Sequence, residues 1–186
     1  MDDNSDDRFN ESMGALIYPI ILIGSMGAGK STIGRRLAAR LSVSCVDLDA
    51  VIVEHAGCSI PEIFEEQGEA AFRALESEYL KTLCQDGNNK VLATGGGAVL
   101  SEANRHVMQQ SGFVIWLDAR PEILARRIAG DGNRPLLKGV EPLQRARELD
   151  AQRRPLYKAC ADLRIDTAKC RVPQTIRTIL DAINHS

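Results

Sequence analysis

Apolar residues cluster along this chain with two different periods. Leu16 to Ile23 (LIYPIILI) is a short, β-branched run, which predicts a buried strand. A glycine-rich stretch, Gly24 to Gly29, follows it directly. The pattern then turns helical, with Ile33, Leu37 and Leu41 on one face. Cys45 to Leu48 predicts a second short strand. Ser59 and Glu62 have the spacing of a capping box, which predicts a helix start. Glu69 to Cys84 is the clearest helix, with Phe72, Leu75, Tyr79 and Leu83 on its apolar stripe. Further strands are predicted at Lys90 to Ala93, Phe113 to Leu117 and Leu163 to Ile165. Helices are predicted at Ser101 to Gln110, Pro121 to Arg127, Glu141 to Arg153 and Pro173 to Asn184. This alternation implies an α/β fold, with an open parallel sheet and helices on both faces.

Two segments break the alternation. The first residues are acidic and polar, the opposite of a signal peptide, so 1–14 is expected to be a disordered leader and 15–186 a single domain. Residues 129–140 are polar and carry Gly130, Gly132 and Gly139, which predicts a mobile lid. The length of 186 residues suits one domain. A net charge of -2 argues against a nucleic-acid protein working through a broad basic field. No apolar run is long enough to span a membrane. The five cysteines (Cys45, Cys58, Cys84, Cys160, Cys170) are scattered and odd in number, which predicts reduced thiols and a cytoplasmic protein.

The chemistry begins at Gly24-Ser25-Met26-Gly27-Ala28-Gly29-Lys30-Ser31, which matches G-x-x-x-x-G-K-[ST] between a strand and a helix. Successive N–H groups in such a loop form an anion nest, and the helix start adds its positive dipole end. Gly27, Ala28, Gly29, Lys30, Ser31 and Thr32 are the candidate ATP-binding residues. Lys30 would reach the β- and γ-phosphates, and the Ser31 hydroxyl would hold Mg²⁺. The motif alone leaves switches and motors open. The guanine-reading N-K-x-D and the D-x-x-G of a GTPase switch are both missing.

Four further features suit a small-metabolite kinase. Asp47 and Asp49 follow the second strand, and strand alternation would put them on one side. Asp47 could hold Mg²⁺ through water, in place of a missing Walker B aspartate, and Asp49 could accept a proton from a substrate hydroxyl. An acidic strand end or a helix cap is the other reading. Gly95-Gly96-Gly97 after the third strand invites close backbone approach to a ligand, unless it is only a flexible turn. Arg134, on the lid, could neutralise charge on a transferring phosphoryl group, or be a solvated surface arginine. Arg153 precedes a proline-fixed turn at Pro155, and with Arg73 it could clamp a carboxylate, although each alone is more often a surface charge.

Taken in order, GSMGAGKS, DLD, the FR of AAFRALE, TGGGAV, NRPLL and RRPLY resemble shikimate kinases from about Ile17 to the chain's end. The resemblance implies a P-loop NTPase-type sheet of five parallel strands, a lid, substrate-binding helices and a monomeric enzyme. It implies transfer of the ATP γ-phosphoryl to the 3-hydroxyl of shikimate, a step of aromatic amino acid biosynthesis. By the same resemblance Asp49 holds shikimate hydroxyls and is the base, and Arg73 and Arg153 meet the carboxylate. Gly95, Gly96 and Gly97 approach the ring, while Phe64 and Phe72 line the pocket or belong to the core. Arg134 touches the phosphates and Arg127 stacks near adenine. Lys169 to Pro173 departs from the family's usual adenine-site pattern. A gluconate kinase, or a nucleotide-dependent regulator without catalysis, are the rival readings.

Overall fold

The structure, a computed structural model, describes residues 18–128 and 141–185. The apolar runs form β1 (Ile20–Ile23), β2 (Ser44–Asp47), β3 (Lys90–Ala93), β4 (Phe113–Asp118) and β5 (Leu163–Asp166). The sheet order is β2-β3-β1-β4-β5. Every neighbouring pair is parallel. Eight helices accompany the strands among the described residues: α1 (Lys30–Leu41), α2 (Leu48–Ala56), α3 (Ile60–Glu66), α4 (Gly68–Gln85), α5 (Glu102–Ser111), α6 (Pro121–Ile128), α7 (Pro142–Cys160) and α8 (Val172–Ile183). None of them is long and apolar enough to cross a membrane.

The uninterrupted apolar character of β1 follows from burial on both faces. Ile20 and Leu22 join one core layer with Ile33, Leu37, Leu117 and Ile179. Ile21 and Ile23 join the other with Ile52, Leu80, Trp116 and Tyr157. Each such side chain, fully buried, contributes roughly 1.5–3 kcal/mol of transfer free energy. The chain runs from β1 outward to β2, returns through β3, and then crosses to β4 on the opposite side of β1. That reversal opens a crevice at the strands' C-terminal ends, where such folds bind ligands.

Three expectations change. Leu48 is not the end of β2 but the first residue of α2, because the Asp47 side chain caps the helix by accepting from the Asp49 N–H at 3.1 Å. Asp49 is therefore a first-turn helical residue, and strand alternation does not govern it. The buried stripe of α4 is Phe72, Glu76, Leu80 and Cys84, with Leu75, Tyr79 and Leu83 half-buried beside it. The proline of RRPLY does not end a helix. Pro155 lies inside α7, which continues to Cys160. Proline removes one helical amide bond and costs about 3 kcal/mol in a helix interior. Contacts on both sides offset it.

Those contacts centre on Asp118, which is 5% exposed at the end of β4. Arg154 donates to both its carboxylate oxygens, at 3.1 and 2.9 Å, and also to Asp150 at 2.8 and 3.0 Å. Arg164 of β5 donates to Asp118 Oδ2 at 2.9 and 2.6 Å. Both guanidinium groups lie over the Trp116 ring, 5.3 and 5.0 Å from its centroid. Asp118→Ala is expected to lower unfolding free energy by about 2 kcal/mol, the low end for breaking a buried pair, since both arginines reach solvent. Urea unfolding would measure it. A loss below about 0.5 kcal/mol would mean the arginines simply turn outward at no cost.

Candidate active site

One cleft of about 1040 Å³ opens at the C-terminal ends of β1, β2 and β3. The loop after β1 forms one wall. Gly24 (φ 141°) closes against β4, where a Cβ would collide with the Leu117 carbonyl oxygen, so no other residue fits. Gly29, in the left-handed region at φ 96°, hands the chain to α1. The Lys30 ammonium donates to the Gly24 and Ser25 carbonyls at 2.7 and 3.1 Å. The Ser31 hydroxyl donates to Asp47 Oδ2 at 2.8 Å, joining the start of α1 to the end of β2. Gly27, Ala28, Gly29, Lys30, Ser31 and Thr32 all line the cleft.

The opposite wall comes from the loop after β3 and from α4. Gly95 and Gly97 are packed so closely that side chains could not be added freely, while Gly96 has room for ordinary contact only. A Cβ on Gly95 would lie 2.9 Å from Asp49 Oδ1 and 2.6 Å from Glu76 Oε1. A Cβ on Gly97 would collide with the Arg73 guanidinium. One on Gly96 would lie 3.4 Å from Arg153 Nη1 and 3.4 Å from the Gly24 carbonyl oxygen. Asp49, Arg73, Arg153, Phe64 and Phe72 all line the same cleft as the phosphate-loop residues. The Phe64 and Phe72 rings pack at 5.0 Å, and Phe72 also belongs to the core. Arg73 lies 5.2 Å from the Phe72 centroid.

Glu76 is a residue that sequence reasoning missed. It is 1% exposed and pairs with Arg73 at 2.6 Å through Oε2, while Oε1 is buried without a protein hydrogen bond. Burial, reinforced by Asp49, pushes its carboxyl above the ordinary glutamate value despite Arg73 and Arg153. Burial pulls the Arg73 guanidinium down, but Glu76 and Glu69 outweigh it and hold the arginine charged. Arg153 is 5% exposed, and its Nε is also buried without a protein partner. Two unsatisfied polar atoms facing one cleft suit a polar ligand that completes them. The available signal was a glutamate inside an apolar helical stripe, i+4 from Phe72 and i−4 from Leu80.

The far end of the cleft is made by Arg127, Thr167, Cys170, Arg171, Val172 and Thr175. Arg127 donates to the Gly27 carbonyl at 3.1 Å and to Thr167 at 3.3 and 3.1 Å. Part of the atypical Lys169 to Pro173 stretch thus lines the cleft after all. Thr167 carried no sequence signal. Arg134, the lid at 129–140 and the leader at 1–14 lie outside the described residues.

The family model for shikimate kinase matches residues 26–184. The chain belongs to the shikimate kinase family. A shikimate kinase from Neisseria gonorrhoeae is 46% identical over 165 residues, covering 89% of this chain and 95% of its own. One from Symbiobacterium thermophilum is 44% identical over 166 residues, covering 88% and 95%. The solved shikimate kinase from Acinetobacter baumannii, in complex with shikimate, superposes with a TM-score of 0.87 at 39% identity, covering 91% of this chain and 94% of its own. The Aquifex aeolicus shikimate kinase gives 0.77 at 35%, covering 89% and 95%. The five-stranded parallel sheet and the P-loop are those of this shikimate kinase family.

Gly97→Ala separates fit from stability. Its backbone (φ −95°, ψ −7°) accepts alanine, and the clash falls on a flexible arginine tip. The melting temperature is expected to stay within a few degrees, while affinity for a carboxylate substrate falls about tenfold as Arg73 is displaced. Calorimetric titration with shikimate measures this. Unchanged affinity would show that Arg73 takes no part in binding.

Proposed function

We propose that this chain transfers the γ-phosphoryl group of ATP to the 3-hydroxyl of shikimate, giving shikimate 3-phosphate and ADP. The observation that carries the reading is that one cleft joins a phosphate loop to two arginines, the half-buried Arg73 and the buried Arg153, suited to a carboxylate. Membership of the shikimate kinase family supports the same acceptor.

The residues divide into a donor side and an acceptor side. On the donor side the loop amides and Lys30 hold the ATP phosphates, and Arg127 lies toward the adenine. The Ser31 hydroxyl and Asp47 carboxylate, 2.8 Å apart, fit Mg²⁺: they offer hard oxygen donors and leave its other positions to water and phosphate. When bound, the ion would neutralise charge between the β- and γ-phosphates. On the acceptor side Arg73 and Arg153 bind the carboxylate, and Gly95 to Gly97 pack against the ring, which Phe64 and Phe72 border. Asp49 accepts a hydrogen bond from the attacking hydroxyl and takes its proton. The hydroxyl oxygen bonds to the γ-phosphorus as the bond to the bridging oxygen breaks, and ADP leaves. By the sequence reading, Arg134 shares the developing equatorial charge with Lys30. The enzyme is read as cytoplasmic and monomeric.

ADP release from ATP and Mg²⁺ tests this, with shikimate, gluconate and a nucleoside monophosphate as separate acceptors. Rapid release is expected with shikimate alone. Turnover with gluconate instead would overturn the acceptor assignment, and silence with every acceptor would favour a regulator. Asp49→Asn keeps size but loses the base, so kcat is expected to fall about 100-fold or more. Near-normal kcat would reduce Asp49 to a binding residue.

A further inference from the structure

Tyr157 belongs to the same RRPLY segment as Arg153. Its ring is 1% exposed and stacks on Trp116, with centroids 5.7 Å apart and planes 25° apart. Its hydroxyl is not left in the core. It donates to the Gly96 carbonyl oxygen at 2.6 Å, sixty-one residues away in sequence. Ser25 and Arg153, near the Tyr157 hydroxyl, partly oppose the upward push that burial gives this phenol. The bond ties α7 to the glycine loop at Gly96, with Ser25 of the phosphate loop and Arg153 nearby.

Gly96 is where the two walls of the cleft touch. A Cβ there would lie 3.4 Å from the Gly24 carbonyl oxygen and 3.5 Å from the Met26 nitrogen, both on the phosphate loop. A tilt of the Gly96 peptide would change the spacing between the phosphate loop and the acceptor side. Glycine peptides tilt easily, since no side chain restrains them. Something must hold this one, and among its described neighbours the Tyr157 hydroxyl bonds its oxygen.

We infer that Tyr157 is a positioning residue: its hydroxyl anchors the Gly96 peptide against the phosphate loop and so sets the distance between acceptor and donor. The inference rests on the phosphotransferase reading above. Burial pushes the phenol's pKa up, so the proton that makes it a donor stays in place across the working range. The ring itself is held from behind. Trp116 carries the two arginines bound to Asp118, so the stack is fixed to the ends of β4 and β5. Small displacements of an acceptor from near-attack geometry cost rate as well as affinity. Loss of this anchor should therefore touch the acceptor's kcat/KM and leave nucleotide affinity nearly alone.

Tyr157→Phe removes one oxygen and keeps the ring. Hydrogen exchange is measured on the ligand-free full chain, and kinetics and ADP binding on the same preparation. Exchange in residues 94–100 is expected to quicken about tenfold, with the central strands unchanged. The kcat/KM for shikimate is expected to fall about tenfold, while the Kd for ADP moves less than twofold. Unchanged exchange at 94–100, or an unchanged kcat/KM, overturns the inference. A uniform rise in exchange that follows a lower melting temperature also overturns it, because that marks a stability effect only. If the wild type does not phosphorylate shikimate, the proposed function falls, and the exchange arm still decides the anchor. Should the variant not fold, the wild-type NMR spectrum decides: a slowly exchanging Tyr157 hydroxyl proton close to the Gly97 α protons is expected, and its absence refutes the bond.

Discussion

A phosphoryl group passes only between molecules held in contact, so the loops that hold donor and acceptor must lie side by side, and this requirement shapes the rest of the structure. The loops after β1 and β3 meet it because their strands are parallel neighbours ending at the same edge of the sheet. The Thr94 N–H and hydroxyl both donate to the Leu22 carbonyl at 3.1 Å, so the second loop leaves its strand already tied to the first. Beyond that point the glycine loop runs close to the phosphate loop, with Gly96 beside Gly24 and Met26. Antiparallel neighbours would send these loops to opposite ends. The sheet topology is thus a condition of the chemistry.

Charge is arranged locally within this frame. The whole chain carries a net charge of only -2, yet the cleft gathers Lys30, Arg73, Arg127 and Arg153. Each free guanidinium near the others would repel them, so acidic partners are built in. Glu69 and Glu76 offset Arg73, while Asp47 meets Ser31 beside the phosphate loop and Asp49 lies against Gly95. Helix α7 uses two consecutive arginines in opposite directions. Arg153 turns to the cleft, and Arg154 turns away to Asp118 and Asp150. The helix has to run unbroken through Pro155 for Tyr157 to reach Gly96 as well.

Much of this is legible in the sequence, for identifiable reasons. The strands read clearly because burial on both faces makes them continuous apolar runs. The Ser59 capping box reads clearly because its two side chains bond only to local backbone and to each other. The phosphate loop reads clearly because backbone wrapping needs glycine at fixed places. What stayed hidden depends on contacts far apart in the chain. Pro155 looks like a stop signal until the Arg154 and Tyr157 contacts are known. Glu76 hides because a charge inside an apolar stripe is discounted, which shifts the stripe by one residue to Leu75 and Tyr79. Asp49 was placed by strand alternation, but the cap supplied by Asp47 begins a helix one residue earlier. Thr167 and Tyr157 act through a backbone carbonyl, and no residue pattern announces such a partner.

In the proposed reaction donor and acceptor share one cleft, with the acceptor's carboxylate between Arg73 and Arg153. A crystal structure of the chain with ADP and shikimate tests it most directly. The carboxylate is expected within hydrogen-bond distance of both guanidinium groups, with a ring hydroxyl on Asp49 facing the phosphate loop. A carboxylate bound away from both arginines, or shikimate seated outside this cleft, would contradict it.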